Sequence, residues 1–369
     1  MERGNMTDDP ICLLSFIEDF AKPHTLGNAA APRWCEQGHT AAYVLDLPLR
    51  QRVVDASRRL ALDARCDTAG RQEYLHRVLS TVYDYRFSVP DVSTADIDVS
   101  PVFADVASLL EAAMLDAEIN QIDEDIFWAM PTEGAAFVEW LKRTMSDHPA
   151  GVHAFYREYL RDAADVESMK VFLAQETTLD PRFDDILALM QVGTSGTEKM
   201  EIAKNYYDEM GCGDEAGVHT HLFSKTLDAL GIDADYVRST LLPDSRVSGN
   251  LSACLVLSPR HHYKAIGYFG VTEYLAPRRF KDLVAGWRRL GLPEDGIAYH
   301  DLHIRIDAVH GRAWFDDVIR PMVDRDPRVA REIALGALIR LNSSARYLDK
   351  LQATLVSRDA KACPESLVA

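Results

Sequence analysis

The chain has 369 residues, 47% of them hydrophobic, and its 40 basic and 57 acidic residues give a formal charge of −17. This composition is that of a globular protein, and the negative charge disfavours sequence-independent binding to nucleic acid or to an anionic membrane surface. No apolar run approaches the roughly 18 residues of a membrane span, and the N-terminus lacks a signal-peptide pattern.

Helical periodicity extends through almost the whole sequence, and strand signals are few. Leu75, Val78, Leu79 and Val82 recur at the spacing of one helix face, and the stretch from Phe103 to Met114 repeats that spacing. Turn-forming stretches such as DHPAG, LDPRF, LPDSRVSGN and APRR interrupt the pattern. Further helices are predicted over 134–146, 151–176, 197–211, 214–230, 250–275, 278–290, 296–321 and 327–356.

Histidine is distributed unevenly, and this shift suggests a domain boundary. Residues 1–129 contain three of the twelve histidines, whereas residues 219–310 contain seven. Six scattered cysteines without a CxxC pair are typical of reduced thiols, so we expect a cytoplasmic protein.

The motif HIRIDAVH places His303, Asp307 and His310 on one helix face. At about 100° per residue, the three side chains leave the helix within a 60° arc. Two imidazoles and a carboxylate on one stripe form a ligand set suited to iron, manganese or zinc. A polar helix face is the alternative interpretation.

The stretch YYDEMGCGDEAGVHTH crowds acids and histidines around a glycine break. Glu209 is predicted to end one helix, and His219 to lie in the first turns of the next, with Asp214 as its N-cap. Both side chains could then point to one spot between the helices. Taken alone, this stretch is better explained by a helix end with solvated acids.

Two other motifs are expected to be coincidental. GCGDEA matches a weak dinucleotide fingerprint, but a helical pattern precedes it instead of a buried strand. Glu73 and His76 match the E-x-x-H of ferritin-like di-iron bundles, which require two such motifs on separate helices. Only one is found, so we expect Glu73 and His76 to be exposed.

Two further acids, Glu176 and Glu273, follow apolar stretches. A buried carboxylate is costly unless it is paired or coordinated. An arginine could pair with each of them. Together with the histidine-rich motifs, however, they bring the set to four carboxylates and three imidazoles, about the number that two metal ions with a bridging carboxylate would use.

At this point the sequence resembles the heme-oxygenase-like di-iron oxidases and oxygenases. The resemblance rests on FLAQE (172–176), YYDEMGCGDEAGVHTHLF (206–223), GYFGVTEYLAP (267–277) and YHDLHIRIDAVH (299–310), and it covers roughly residues 135–325. It implies an all-α, heme-oxygenase-like seven-helix bundle over 130–356, which binds two irons and activates O2. A helical N-terminal extension over 1–129 would serve dimerisation, and 357–369 would form a flexible tail.

The resemblance also implies the metal ligands. Glu176 and His219 would bind one iron with His310 near it, and Glu209, His303 and Asp307 would complete the set with one bridging carboxylate. N-oxygenating members carry a further glutamate at the position of Glu273.

The function implied is N-oxygenation of an amine nitrogen of a small amino-acid-derived metabolite, with an external electron donor or reductase because no flavin or nicotinamide motif is present. The product could be a hydroxylamine, a nitroso compound or a nitro compound, formed in natural-product biosynthesis. Alternatives are desaturation, decarboxylation or C–C fragmentation on the same scaffold, a non-catalytic iron-binding protein, or a helical scaffold without metal. Pocket walls are expected around Phe172, Tyr268, Phe269 and Tyr299. We expect a homodimer.

Overall fold

The computed structural model describes residues 11–21, 43–66, 70–92 and 99–362, with side chains through residue 359. Over these ranges the chain forms α-helices with short 3-10 and π-helical segments, and no strand. The all-α fold class expected from the helical periodicity is therefore confirmed.

Contacts divide the chain into two compact units, Met1–Ala117 and Glu118–Ala369, whereas the sequence places a boundary after residue 129. The α-helices with described bounds that begin before that division are α1 (Leu13–Phe20), α2 (Leu47–Arg65), α3 (Arg71–Arg86) and α4 (Ser100–Ile119), of which α4 extends slightly beyond it. In the first unit α1, α2 and α3 pack on one another. The predicted α3 face of Leu75, Val78, Leu79 and Val82 is buried, as its periodicity indicates.

The second unit contains the remaining helices. They are α5 (Gly134–Asp147), α6 (Val166–Glu176), α7 (Phe183–Met190), α8 (Gly196–Glu209), α9 (His219–Ala229), α10 (Ala234–Thr240), α11 (Pro243–Leu257), α12 (His262–Arg289), α13 (Ala298–Ala313), α14 (Arg320–Arg325) and α15 (Val329–Ala362). Two π-helical segments accompany them, Phe155–Leu160 before α6 and Trp314–Ile319 between α13 and α14.

Prolines explain where the observed helices differ from the predicted ones. The expected break at APRR is wrong, because α12 continues through Pro277. LPDSRVSGN is likewise helical, since Pro243 occupies the first turn of α11, where no intrahelical donor is needed. The predicted helix 250–275 is divided at Pro259, where a 3-10 turn separates α11 from α12.

The long helices α12 and α15 pack closely through glycines. A Cβ atom on Gly267 would lie 1.8 Å from the Ile333 carbonyl oxygen, and one on Gly336 would lie 1.9 Å from the Lys264 carbonyl oxygen. Helix α13 approaches α12 in a similar way, since a Cβ on Gly311 would lie 3.1 Å from the Glu273 carbonyl oxygen. Pro277 removes the N–H that would otherwise bond this carbonyl. These contacts hold Glu273 beside α13.

No helix in the described ranges combines the length and apolarity required to cross a bilayer. The cysteines described, Cys12, Cys66, Cys212 and Cys254, are free thiols, as expected from their scattered positions.

Candidate metal centre

Helix α13 contributes three inward-facing side chains to the centre of the second unit. His303, Asp307 and His310 are each no more than 5% exposed. The spacing of four and three residues places them along one face over two turns. Arg305, on the same helix, is exposed.

The glycine break after α8 brings Glu209 and His219 together. Helix α8 ends at Glu209 and α9 begins at His219, as the sequence predicts. In the intervening turn Gly211 has a φ of +61°, and a Cβ there would lie 2.5 Å from the backbone of Gly217. Asp214 does not cap α9: it accepts a hydrogen bond from the Ala216 N–H and caps a 3-10 turn instead.

A first group consists of Glu209, His219 and His303, all buried, whose ligand atoms lie within 4.8 Å of one another. His219 Nδ1 lies 2.7 Å from Glu209 Oε2, and His303 Nε2 lies 3.6 Å from Glu209 Oε1. His303 Nδ1 lies 2.6 Å from the Tyr299 carbonyl oxygen, to which it can donate. That hydrogen bond leaves His303 Nε2 free to bind a metal.

A second group consists of Glu273, Asp307 and His310, with the same burial and the same 4.8 Å limit. Asn205 Nδ2 donates to Glu273 Oε1 at 2.9 Å. His310 Nε2 is 2.8 Å from Asp208 Oδ2, while its Nδ1 faces Glu273 Oε2 at 4.0 Å. The sequence predicts all six residues of the two groups as ligands.

Each group contains a buried nitrogen that has no hydrogen-bond partner. These atoms are His219 Nδ1 and His310 Nδ1; the former is close to Glu209 but is not aligned for a hydrogen bond. A buried polar atom without a partner is costly, and a metal ion would satisfy it. The first group offers one carboxylate and two imidazoles, and the second offers two carboxylates and one imidazole. Both donor sets suit iron, manganese or zinc, so the residues fit a metal.

The pKa values in the two groups show the mutual influence of their charges. Burial alone would raise the pKa of Glu209, but His219 and His303 hold it at about 2. Burial lowers the pKa of His303, yet Asp307 and Glu209 raise it to about 10. Burial raises the pKa of Asp307 to about 7 against the effect of His303, and burial together with Asp307 raises that of Glu273. The metal-free groups therefore favour protonated forms of His303, Asp307 and Glu273, and bound cations would instead neutralise the carboxylates.

Glu176 does not lie in either group. It is half-buried, and the Tyr347 hydroxyl donates to its Oε1 at 3.4 Å. His310 also lies with Glu273 and Asp307, not beside His219 as the pairing implied by the resemblance has it. The grouping in space therefore differs from that pairing.

A small cavity of about 40 Å³ touches both groups. Glu273, His303 and Asp307 line it together with Asp180, whose Oδ2 is buried without a hydrogen-bond partner. Of the expected aromatic walls Tyr299 lines this cavity, whereas Phe172, Tyr268 and Phe269 are buried elsewhere in the packing. A larger cavity of about 460 Å³ contains none of the predicted ligands, so its size alone does not relate it to the metal groups.

Sequence reasoning missed Asn205, Asp208 and Asp180. Asn205 precedes Glu209 by four residues and therefore lies on the same face of α8, and this spacing could have predicted it as a neighbour of the ligands. Asp208 contacts His310 across 102 positions of sequence, and no local pattern predicts such a contact. The E-x-x-H pair lies in the first unit and belongs to neither group. Glu73 is exposed as expected, whereas His76 is half-buried and that part of the expectation is wrong.

A family model described as Iron-containing redox enzyme matches residues 170–345, slightly less than half of the chain. All seven residues that the resemblance assigns as ligands fall in this segment. No curated protein matches the chain. The match supports the heme-oxygenase-like superfamily and indicates an iron-containing redox enzyme. The helical fold is of that type. The two buried groups could hold a di-iron centre.

Proposed function

We propose that the chain is a di-iron N-oxygenase that uses O2 to oxidise the amine nitrogen of a small amino-acid-derived metabolite. The observation that carries the proposal is the pair of buried ligand groups, which share α13 and open on one cavity. Glu209, His219 and His303 would hold one iron, and Glu273, Asp307 and His310 the other. Glu176 remains a proposed seventh ligand. When bound, the two irons would supply the activation of O2.

The chain's own residues would fix the ligands and shape the cavity. The Tyr299 carbonyl oxygen sets the ring orientation of His303, and Asp208 sets that of His310. Asn205 orients the Glu273 carboxylate. The apolar side chains of Leu179, Phe183 and Phe280 line the cavity and limit the access of water.

The substrate nitrogen must react as a neutral amine, because its lone pair forms the N–O bond. One atom of O2 enters this bond and the other leaves as water, so each cycle to a hydroxylamine consumes two electrons and two protons. An external reductant or reductase would supply the electrons. Asp180 lines the cavity, and its Oδ2, which has no hydrogen-bond partner, could accept a hydrogen bond from an entering amine.

Glu273 favours N-oxygenation over desaturation, decarboxylation or fragmentation on the same scaffold. Its buried carboxylate makes no ion pair with a lysine or arginine among the described residues, and it belongs to the second ligand group. This additional anionic ligand is the feature that the resemblance associates with N-oxygenating members.

The test begins with anaerobic loading with Fe(II) and measurement of bound iron, for which we expect about two ions per chain from the two groups. Oxygen uptake and product mass spectrometry with a panel of amines then distinguish the reactions: N-oxygenation adds one oxygen atom, and desaturation removes two hydrogens. A non-catalytic iron protein would bind iron without substrate-dependent oxygen uptake. The variant Glu73→Gln is the control and should keep both its iron and its activity, because this acid lies outside both groups. Full activity without a transition metal would overturn the proposal.

A further inference from the structure

Two arginines beside the candidate metal centre lack a carboxylate partner. Neither Arg279 on α12 nor Arg340 on α15 forms an ion pair within 4.0 Å among the described residues. Arg279 donates to the Ala150 carbonyl oxygen at 2.9 Å and to Ser344 Oγ at 3.1 Å. Arg340 donates through Nε to Thr272 Oγ1 at 3.1 Å. Both guanidinium groups are thus held in place by neutral acceptors.

Arg346, which lies on α15 like Arg340, has a different kind of partner. Arg346 donates twice to the Glu118 carboxylate, at 2.6 and 2.7 Å. Arg279 and Arg340 stack instead on aromatic rings, with guanidinium carbons 5.1 Å from the Tyr156 centroid and 5.3 Å from the Tyr268 centroid. The Glu176 carboxylate interacts with both arginines at longer range but pairs directly with neither. Positive charges withdrawn from water without a directly paired anion are unfavourable, so such a pair is suited to receive one.

The two arginines line a small polar cavity of about 30 Å³. Its other polar walls are the Gln175 amide, the Glu176 carboxylate and the hydroxyl groups of Tyr156, Thr178, Ser245, Ser248, Ser344 and Tyr347. The volume suffices for a group of about the size of a water molecule or a carboxylate. Guanidinium groups donate hydrogen bonds and match the planar shape of a carboxylate. Among the hydroxyls, Ser248 Oγ has no hydrogen-bond partner and can donate as well, whereas those of Tyr347, Ser245 and Thr178 already donate to Glu176 and Gln175. Two positive charges against one negative charge leave the cavity with an excess of positive charge.

This cavity adjoins the one at the metal groups. Leu179 lines both of them. Thr272, which accepts the hydrogen bond from Arg340, lines the cavity at the metal groups and directly precedes Glu273 in the chain. A small molecule with a carboxylate at the arginines could therefore reach the metal cavity with its other end.

We propose that Arg279 and Arg340 form a subsite for the carboxylate of the substrate, so that the substrate is an amine with a free carboxylate, as in an amino acid. The inference rests on the proposed function for the meaning of "substrate", but the subsite itself requires only binding. Arg279 and Arg340 are specificity-determining residues in this scheme, and the metal groups retain the chemistry.

The experiment measures binding by calorimetry in the absence of O2, with both metal-free and Fe(II)-loaded protein. The probes are acetate and the matched pairs L-lysine with cadaverine and L-arginine with agmatine, with chloride at equal ionic strength as reference. We expect acetate to bind and at least one amino acid to bind about tenfold or more tightly than its decarboxylated partner. Arg279→Met and Arg340→Met should abolish this preference. Arg346→Met should preserve it, because Arg346 already has a carboxylate partner.

A second variant tests the subsite in the opposite direction. Glu176→Gln removes the anion that shares the cavity, so metal-free Glu176→Gln should bind acetate about tenfold more tightly than wild type. Circular dichroism and thermal unfolding verify that each variant is folded. The inference is overturned if neither acetate nor any carboxylated member binds better than its reference, or if the preference survives in folded Arg279→Met and Arg340→Met.

The outcomes separate this inference from the proposed function. Protein that discriminates carboxylates but binds no iron would retain the subsite and refute the N-oxygenase. Protein that oxygenates amines equally well with and without a carboxylate would retain the N-oxygenase and refute the subsite.

Discussion

Asp208 Oδ2 lies 2.8 Å from His310 Nε2, and this contact joins the end of α8 to α13. The contact fixes the imidazole ring so that Nδ1 faces Glu273. A carboxylate on the outer nitrogen of a ligating histidine orients the ring and raises its basicity.

We therefore predict that Asp208→Asn lowers the metal affinity of the group of Glu273, Asp307 and His310 by roughly 10- to 100-fold. The first group should keep its ion, so the iron content should fall from about two to about one per chain. Asp214→Asn, an exposed acid of the following turn, is the control and should bind normally. Unchanged affinity in Asp208→Asn would mean that the contact does not support the histidine.

Glu273→Gln should have opposite effects on stability and on metal binding. Burial and Asp307 raise the pKa of Glu273, so its ionised form is unfavourable in the metal-free protein. The neutral amide of glutamine avoids this cost, and its oxygen can still accept from Asn205. We expect the metal-free variant to be as stable as wild type or about 1 kcal/mol more stable, a shift of up to a few degrees in Tm. Iron should be lost from the second group. A variant that binds two irons and oxygenates amines at the wild-type rate would make Glu273 a structural acid.

Metal affinity should rise with pH. His303, with a pKa of about 10, carries a proton near neutrality, and Asp307, with a pKa of about 7, carries one in part of the molecules. Because ligands must lose their protons, affinity should increase roughly tenfold per pH unit for each proton released, through pH 6 to 8. Calorimetry with Mn(II), in buffers of different ionisation enthalpy, counts the released protons. Binding without proton release would contradict these protonation states.

Gly267→Ala should destabilise the fold, although alanine is the better helix former. The new methyl group would meet the Ile333 carbonyl oxygen at 1.8 Å, so α12 and α15 would have to move apart. We expect a loss of about 1–3 kcal/mol or more in thermal or denaturant unfolding. Helix propensity alone would give a gain of about 1 kcal/mol, so the sign of the change decides between the two effects.

We propose that residues 1–129 form the interface of a homodimer. Leu45 and Leu47 are 79% and 67% exposed, and such apolar surface favours association. Multi-angle light scattering should give a dimer for wild type and a monomer for the double variant Leu45→Glu, Leu47→Glu. Met200→Glu, at a position 71% exposed in the second unit, is the control and should remain dimeric. A monomeric, active wild-type chain would contradict the proposal.

The sequence by itself determined the features that depend on local periodicity. The spacing of His303, Asp307 and His310 places them on one face of any helix that contains them. The glycine break likewise predicts a helix end at Glu209 and a helix start near His219. Both predictions follow from backbone geometry over a few turns, which short-range sequence specifies.

Only the tertiary structure decided which side chains from different helices share a site. It placed His310 with Glu273 and not with His219, placed Glu176 in the cavity of Arg279 and Arg340, and brought Asp208 to His310. Helix α12 also continues across Pro277, because packing against α13 and α15 outweighs the one missing backbone hydrogen bond. These relationships depend on the packing of distant helices and on the energy of buried charges, and no local pattern in the chain encodes either one.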